Sequence, residues 1–109
     1  TYFSIPGVSG TGLVAFQIEG ASMDPVIRHG DLVVCKSVEN LNDIRDNEIY
    51  AVRSNGSVWV KYVQKIYNNR GRITRLKMIS ANYFDNDPFE EEVNETTRLY
   101  KVVRKISNV

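Results

Sequence analysis

The dipeptide Asn55-Gly56, placed between two runs of strand-forming residues, limits the possible folds of this chain more than any other feature. Asn-Gly is the composition that a two-residue hairpin turn requires, because both turn positions take positive φ. The turn therefore pairs residues 49–53 with residues 58–67 as antiparallel strands. A second turn at Asn68-Asn69-Arg70-Gly71 leads into residues 73–79 and predicts a three-stranded meander.

Other β-branched runs are separated by Gly, Asn and Asp, and they predict further strands at residues 13–18, 31–35 and 99–106. Residues 80–95 are polar and predict a long loop. Residues 23–28 predict a short helical turn, because Pro25 is tolerated in a first turn. Ser22 or Asp24 would cap that turn. We therefore expect a mostly β fold of twisted antiparallel sheets or a partly open barrel.

The 109 residues fit one domain. Residues 1–12 are rich in glycine and predict an irregular N-terminal arm or linker remnant, with Tyr2, Phe3 and Ile5 available to dock on a surface. Residues 13–109 would form the folded domain. No apolar run approaches the ~20 residues needed to cross a bilayer, and no signal-peptide pattern opens the chain. Because Thr1 is not a methionine, we expect further sequence upstream.

The single cysteine and single histidine exclude several kinds of site. One cysteine forms no internal disulfide, which favours the reducing cytoplasm. Cys35 lies in an apolar run and is predicted to be a small buried residue rather than a nucleophile. One histidine excludes a two-histidine zinc site, and we expect neither a metal nor another cofactor. His29 precedes Gly30-Asp31 and is predicted to be a turn residue rather than part of a Ser-His triad.

The charge pattern gives little reason to expect a nucleic-acid site, because the formal net charge is only +1. A basic cluster is present at Arg70, Arg72, Arg75 and Lys77. An acidic run at Glu90, Glu91 and Glu92 balances it. The basic cluster therefore predicts the solvated face of a hairpin rather than a DNA-binding surface.

Ser22 stands between a strand end marked by Gly20 and a turn that contains Pro25. The backbone at such a position exposes a side chain and leaves main-chain N–H groups unpaired. Unpaired N–H groups beside a serine can form an oxyanion hole. The alternative is that Ser22 only caps the turn.

Lys61 lies in a run that is apolar on both faces, with Trp59 and Val63 on its own side. A lysine on a covered strand loses solvation, which disfavours its charged form. An unperturbed lysine pKa is about 10.4, and a useful general base needs a value roughly three units lower. The alternative is that Lys61 extends its ammonium group from an edge strand into water.

Together, the surroundings of the two residues resemble the LexA-like and UmuD-like self-cleaving proteins, the S24-type Ser/Lys peptidases. Residues 16–25, followed by Gly30-Asp31-Leu32-Val33-Val34, are similar to the nucleophile segment, in which Ser-Met precedes a Gly-Asp-hydrophobic strand. Residues 46–49 and 55–61 resemble the hairpin that carries the general-base lysine. Ser80-Ala81-Asn82-Tyr83 is similar to a further family stretch. The resemblance covers residues 16–106 with order and spacing preserved.

The resemblance implies a compact LexA-like C-terminal peptidase fold with a short helical turn after the nucleophile. It implies that Ser22 is the nucleophile, that Lys61 is the neutral general base, and that the backbone N–H groups of Ser22 and Met23 hold the oxyanion. It also implies a homodimer, DNA binding only through an upstream helix-turn-helix domain, and cleavage of a linker at Ala-Gly or Cys-Gly. Neither dipeptide occurs in this chain. The scissile linker is therefore expected upstream of Thr1, or this member does not cleave itself.

Three functions stay open on the sequence. The first is the C-terminal domain of a cytoplasmic, LexA-like or phage-type transcriptional repressor, a serine endopeptidase that acts on its own linker. The second is a noncatalytic dimerisation and sensing module of such a repressor, with residues 99–106 as a candidate edge for the dimer contact. The third is a type I signal peptidase, which Ser22-Met23-Asp24-Pro25 resembles. The absence of a membrane anchor and the small size weigh against the third.

Overall fold

In a computed structural model, the chain forms a single sheet of eight antiparallel strands, and the structure describes residues 2–3 and 13–107. The strands are β1 (Tyr2–Phe3), β2 (Leu13–Gln17), β3 (Leu32–Val38), β4 (Glu48–Ser54), β5 (Ser57–Tyr67), β6 (Ile73–Ile79), β7 (Phe89–Glu92) and β8 (Arg98–Ile106). Their order in the sheet is β1-β2-β3-β8-β4-β5-β6-β7. The prediction of a mostly β, antiparallel fold is confirmed, in the form of an open sheet.

The predicted hairpin is present where Asn55-Gly56 places it. Asn55 has a φ of 51° and Gly56 a φ of 84°, the positive values that a tight hairpin turn needs. β4 and β5 pair from Ser54↔Ser57 at the turn to Glu48↔Val63. β6 continues the meander along the far half of β5, where Tyr62 pairs with Ile79.

The two faces of the central strands pack against separate apolar clusters. Alternate residues of β4 and β5 divide between them, as a period of two requires. One cluster contains Ala51, Val58, Val60 and Tyr62 together with Phe16, Met23, Ile27, Val33 and Cys35. The other contains Tyr50, Val52, Trp59 and Val63 together with Ile44, Leu76, Met78 and Leu99. The central strands are therefore covered on both sides, as the apolar pattern around Lys61 predicted.

A strand, β7, lies within the stretch that was expected to be a loop. It pairs with β6 in a register that places Lys77 opposite Glu90, and the Arg75 Nη1 atom lies 3.0 Å from Glu90 Oε1. Phe89 supplies the apolar contact, with its ring 5.6 Å from that of Trp59. Opposite charges on facing strands stabilise such a pairing. The acidic run therefore lies directly beside part of the basic cluster.

Two further expectations need correction near Ser22 and at the N-terminus. The predicted helical turn at residues 23–28 is an irregular turn with one α-type hydrogen bond, from Ile27 N–H to the Met23 carbonyl (2.8 Å). Proline disfavours helical backbone in the residue before it, which is Asp24 here. Tyr2–Phe3, assigned to the irregular arm, forms β1 and pairs with β2. Residues 4–12, including Ile5, lie outside the described part of the chain, and the arm and domain boundaries stay predictions.

The expectation that residues 99–106 form an edge strand is wrong for half of that strand. β8 lies between β3 and β4, and residues 99–101 pair on both sides. Residue 102 and residues 104–106 pair with β3 alone, and Val103 lies at a bulge between them. The second half of β8 therefore has one open side, on which Val103 is 53% and Ile106 is 48% exposed.

Candidate active site

The turn that joins β2 to β3 spans residues 18–31, and it carries the serine identified from the sequence. Its base is closed by the Ile18 N–H, which donates to the Asp31 carbonyl at 2.8 Å. Above the base, the Gly20 N–H donates to His29 Nδ1 at 2.9 Å. His29 is therefore a turn residue, as predicted. These bonds hold the two arms of the β2–β3 turn together around its tip.

At the tip, Met23 and Ser22 have different environments. Met23 is 1% exposed and packs into the apolar cluster beside Ile27, so it anchors the turn from below. Ser22 is half-buried. Within residues 13–107, neither the Ser22 N–H nor the Met23 N–H donates a hydrogen bond to a protein acceptor. Two main-chain donors are thus available beside the Ser22 hydroxyl, the arrangement that an oxyanion hole needs.

Lys61 lies in the middle of β5, opposite Tyr50 of β4. It is only 8% exposed, so the alternative in which its ammonium extends freely into water is wrong. Burial lowers the pKa of Lys61 below its usual value, because desolvation penalises the charged form. The three ion pairs found within the described residues involve Lys65, Arg75 and Lys101. Lys61 therefore has no carboxylate partner in that part of the chain to offset its desolvation.

The polar partner of Lys61 is Ser80. Lys61 Nζ lies 2.8 Å from Ser80 Oγ, and Ser80 is 4% exposed. Sequence reasoning assigned no role to Ser80 and identified it only as part of a family-like stretch. The one signal that marks it is a small polar residue directly after the apolar pair Met78-Ile79 at the end of β6.

Residues 80–82 also contact the β2–β3 turn. The Asn82 N–H donates to the Ser22 carbonyl at 2.9 Å, and the Asn82 side-chain amide donates to the Ala21 carbonyl at 3.3 Å. The Ala81 N–H lies 3.4 Å from Met23 Sδ. One short segment thus contacts both the lysine and the turn that carries the serine.

Ser22 and Lys61 line the same cavity, which has a volume of about 270 Å³. The other lining residues come from the end of β2, the β2–β3 turn and the start of β5, and they are Phe16, Gln17, Ile18, Glu19, Met23, Val58, Trp59 and Val60. In the described residues, no hydrogen bond joins Ser22 Oγ to Lys61 Nζ. The sequence-predicted pair therefore shares one site, with Lys61 hydrogen-bonded to Ser80 rather than to Ser22.

The described residues offer little support for a cysteine nucleophile, a metal site or a membrane-spanning helix. Cys35 is completely buried, and burial raises the pKa of its thiol to about 12, which makes it a poor nucleophile. Residues 2–3 and 13–107 contain no group of three or more His, Cys, Asp or Glu side chains that could hold a metal ion. Among those residues there is also no helix with the length and apolar character needed to cross a membrane.

Comparison with known protein families matches most of this chain. The model that describes Peptidase S24-like proteins matches residues 3–98 of this chain. The matched region contains the β2–β3 turn, all of β5 and the segment at residues 80–82. No curated protein matches the chain.

Proposed function

Because the chain belongs to the Peptidase S24-like family, we propose that it is the C-terminal domain of a LexA-like or phage-type transcriptional repressor that cleaves its own linker. The nucleophile is Ser22 and the general base is Lys61. The observation that carries the proposal is their shared cavity, in which the lysine is buried and has a hydroxyl rather than a carboxylate as its partner.

The reaction is amide hydrolysis through an acyl-enzyme. Neutral Lys61 takes the hydroxyl proton of Ser22 as Oγ attacks the scissile carbonyl, and the protonated lysine then gives a proton to the leaving amine. The N–H groups of Ser22 and Met23 stabilise the oxyanion of the tetrahedral intermediate. Water then attacks the ester as Lys61 takes a proton from it, and the lysine gives that proton to Ser22 Oγ as the ester bond breaks. Burial supports this role for Lys61, because it favours the neutral form.

The substrate is an extended peptide segment of the same protein. Residues 57–61 of β5 pair with β4 on one side, whereas β6 begins to pair only at Tyr62. The other side of residues 57–61 therefore has open backbone groups where β5 lines the cavity. Such an edge accepts an extended peptide through main-chain hydrogen bonds, which would lay its scissile bond beside Ser22.

The test is self-cleavage of a longer chain that includes the sequence encoded upstream of Thr1. We expect the cleavage rate to rise with pH as Lys61 loses its proton. Ser22→Ala and Lys61→Ala should each reduce the rate by about 10³-fold or more. Matched controls are Ser37→Ala, a half-buried serine of β3 outside the cavity, and Lys65→Ala, a second lysine of β5. Cleavage that survives loss of Ser22 or Lys61 would refute the assignment.

The repressor would also be a homodimer, and the open half of β8 supports this part of the proposal. Residues 102–106 have unpaired backbone groups on one side, with Val103 and Ile106 exposed. If two copies of the domain paired along this edge, they would satisfy these backbone groups and bury both apolar side chains. Sedimentation velocity over a concentration series should show the dimer. A dimer that never cleaves itself would favour the alternative function, a noncatalytic dimerisation and sensing module.

We assign DNA recognition to a separate helix-turn-helix domain of the complete repressor. The pairing of β6 with the acidic β7 supports this division, because Arg75 and Lys77 face glutamates rather than an open surface. A dimeric C-terminal domain would set the spacing between two such DNA-binding domains. A cytoplasmic location completes the proposal, and the single cysteine, free and buried as Cys35, is consistent with it.

A further inference from the structure

We propose that Ser80 is a positioning residue, whose hydroxyl holds Lys61 Nζ so that the lysine lone pair is directed at Ser22. The inference rests on the proposed Ser22/Lys61 chemistry and adds a third side chain to it. The contact itself is the 2.8 Å hydrogen bond between Lys61 Nζ and Ser80 Oγ.

The chemistry of a neutral lysine requires such a partner. A neutral amine has two N–H bonds and one lone pair, and the lone pair must face the Ser22 hydroxyl to accept its proton. The lysine side chain is flexible, and its amine rotates freely when nothing holds it. One N–H donated to Ser80 Oγ restricts that rotation. The remaining N–H and the lone pair can then point in only a few directions, and one of these is toward the shared cavity.

Burial makes Ser80 difficult to replace by solvent. Ser80 is 4% exposed and Lys61 is 8% exposed. Water therefore has little access to the position of the hydroxyl, and a lysine without Ser80 would lose its buried acceptor. The lysine would then adopt other side-chain conformations to regain a polar partner.

The position of Ser80 is set relative to Ser22 by the backbone. Asn82, two residues further along the chain, donates its N–H to the Ser22 carbonyl at 2.9 Å. Between them, the Ala81 N–H contacts Met23 Sδ. The hydroxyl that holds the base and the amide that holds the nucleophile turn thus belong to one three-residue segment. A shift of that segment would move both reacting groups together.

Positioning and pKa tuning predict opposite outcomes for Ser80→Ala. The hydroxyl accepts a hydrogen bond from the ammonium form, which favours that form. Its loss should therefore lower the pKa of Lys61 further and increase the neutral fraction near pH 7. If Ser80 acted only through the pKa, the variant would react faster at neutral pH. Positioning instead predicts a slower reaction at high pH, where Lys61 is fully neutral in both proteins and its pKa no longer affects the rate.

The first measurement is the rate of Ser22 modification by a fluorophosphonate, followed by intact mass across a pH series. The Ser22 Oγ–P bond forms, the P–F bond breaks with release of fluoride, and the hydroxyl proton passes to Lys61. We expect Ser80→Ala to lower the high-pH plateau about tenfold and to move the inflection to lower pH. Ser80→Thr, which keeps the hydroxyl, should restore the plateau, and Ser37→Ala, on β3 outside the cavity, should match the wild type. An unchanged Ser80→Ala plateau would overturn the proposal.

The second measurement is the titration of Lys61 in protein labelled with ¹³C-lysine, with the signal assigned from Lys61→Arg. The Lys61 inflection should move to lower pH in Ser80→Ala and return in Ser80→Thr. Identical Lys61 titrations in the wild type, Ser80→Ala and Ser80→Thr would refute the hydrogen bond between Lys61 and Ser80. The spectra also report folding, and Ser80→Cys, of similar size but with a weak acceptor, replaces the alanine variant if that variant unfolds.

The two measurements separate the two levels of the proposal. If wild-type Ser22 does not react but the Lys61 titration depends on Ser80 as expected, the peptidase function fails while the Ser80–Lys61 contact stands. If Ser22 reacts and Ser80→Ala changes neither the rate nor the titration, the function stands and the role of Ser80 is refuted.

Discussion

Lys61 and Lys65 lie on the same strand, β5, and differ mainly in the partner that each one meets. Lys65 Nζ lies 3.1 Å from the Asp46 carboxylate and also donates to the Ile44 carbonyl. Lys61 Nζ meets only the Ser80 hydroxyl among the described residues. A carboxylate stabilises an ammonium group, whereas a buried hydroxyl stabilises it only weakly. The partner, rather than the residue type or the strand, thus separates a structural lysine from a candidate base.

The largest expected effect comes from giving Lys61 the kind of partner that Lys65 has. Ser80→Asp places a carboxylate at the position of the hydroxyl, which should raise the pKa of Lys61 and keep it protonated. We expect Ser22 modification at neutral pH to fall by about 100-fold, since an adjacent opposite charge shifts a pKa by ~1–3 units. The rate across a pH series checks this, with Ser80→Asn as the uncharged control of similar size. Equal rates in Ser80→Asp and Ser80→Asn would show that the charge of its partner does not decide whether Lys61 acts as a base.

The next effect concerns stability rather than reactivity. Lys61→Met removes an amine that is buried without a carboxylate, and we expect it to stabilise the folded protein at neutral pH by about 1 kcal/mol. Lys65→Met should instead be destabilising, because it leaves Asp46 without its cation. Urea unfolding of the two variants measures the contrast. Loss of stability in Lys61→Met would mean that the bond to Ser80 outweighs the cost of burying the ammonium.

The difference in free energy of unfolding between Lys61→Met and the wild type should depend on pH. The folded protein lowers the pKa of Lys61 below its usual 10.5, so the unfolded chain binds more protons in the interval between the two values. The wild-type free energy of unfolding therefore rises with pH through that interval. The advantage of Lys61→Met should be largest below the lowered pKa and should shrink as the pH approaches about 10.5. A constant advantage across that range would contradict a desolvated lysine.

Local sequence signals predicted the elements whose causes are local. Asn55-Gly56 determines its own hairpin turn, and the apolar neighbours of Lys61 on both faces of β5 predicted its burial. Ser22 was identified because Gly20 marks a strand end and Pro25 marks a turn after it, although the helical form predicted for that turn was wrong. In each case the residues that cause the structure are adjacent in the chain.

The missed features depend on residues that are distant in sequence. The sequence of β7 predicted a polar loop, because its glutamates lie opposite basic residues only when β6 pairs with it. Ser80 reads as the end of a strand because its bond to Lys61 exists only after β5 and β6 pair. Residues 99–101 of β8 were also wrongly predicted to lie at an edge, since β4 pairs with them only in the folded sheet. All three features depend on pairing between strands that are distant in the chain, which a single sequence does not show.

The smallest expected effect tests the other lysine. The Asp46 pKa is lowered first by the Lys65 N–H, which donates to its carboxylate at 2.8 Å, and then by the Lys65 side chain. Asp46 is largely exposed, so solvent screens the pair, and Asp46→Asn should lower the free energy of unfolding at neutral pH by only ~0.5 kcal/mol. A group with a lowered carboxyl pKa stabilises the fold above its usual value of 3.8 and loses that contribution as the pH falls through the lowered value. The difference between Asp46→Asn and wild type in urea unfolding should therefore disappear in acid, while Ser22 modification stays unchanged. A faster reaction of Ser22 at neutral pH in this variant would show that the two lysines of β5 act together, because the uncompensated charge on Lys65 would then be favouring the neutral form of Lys61.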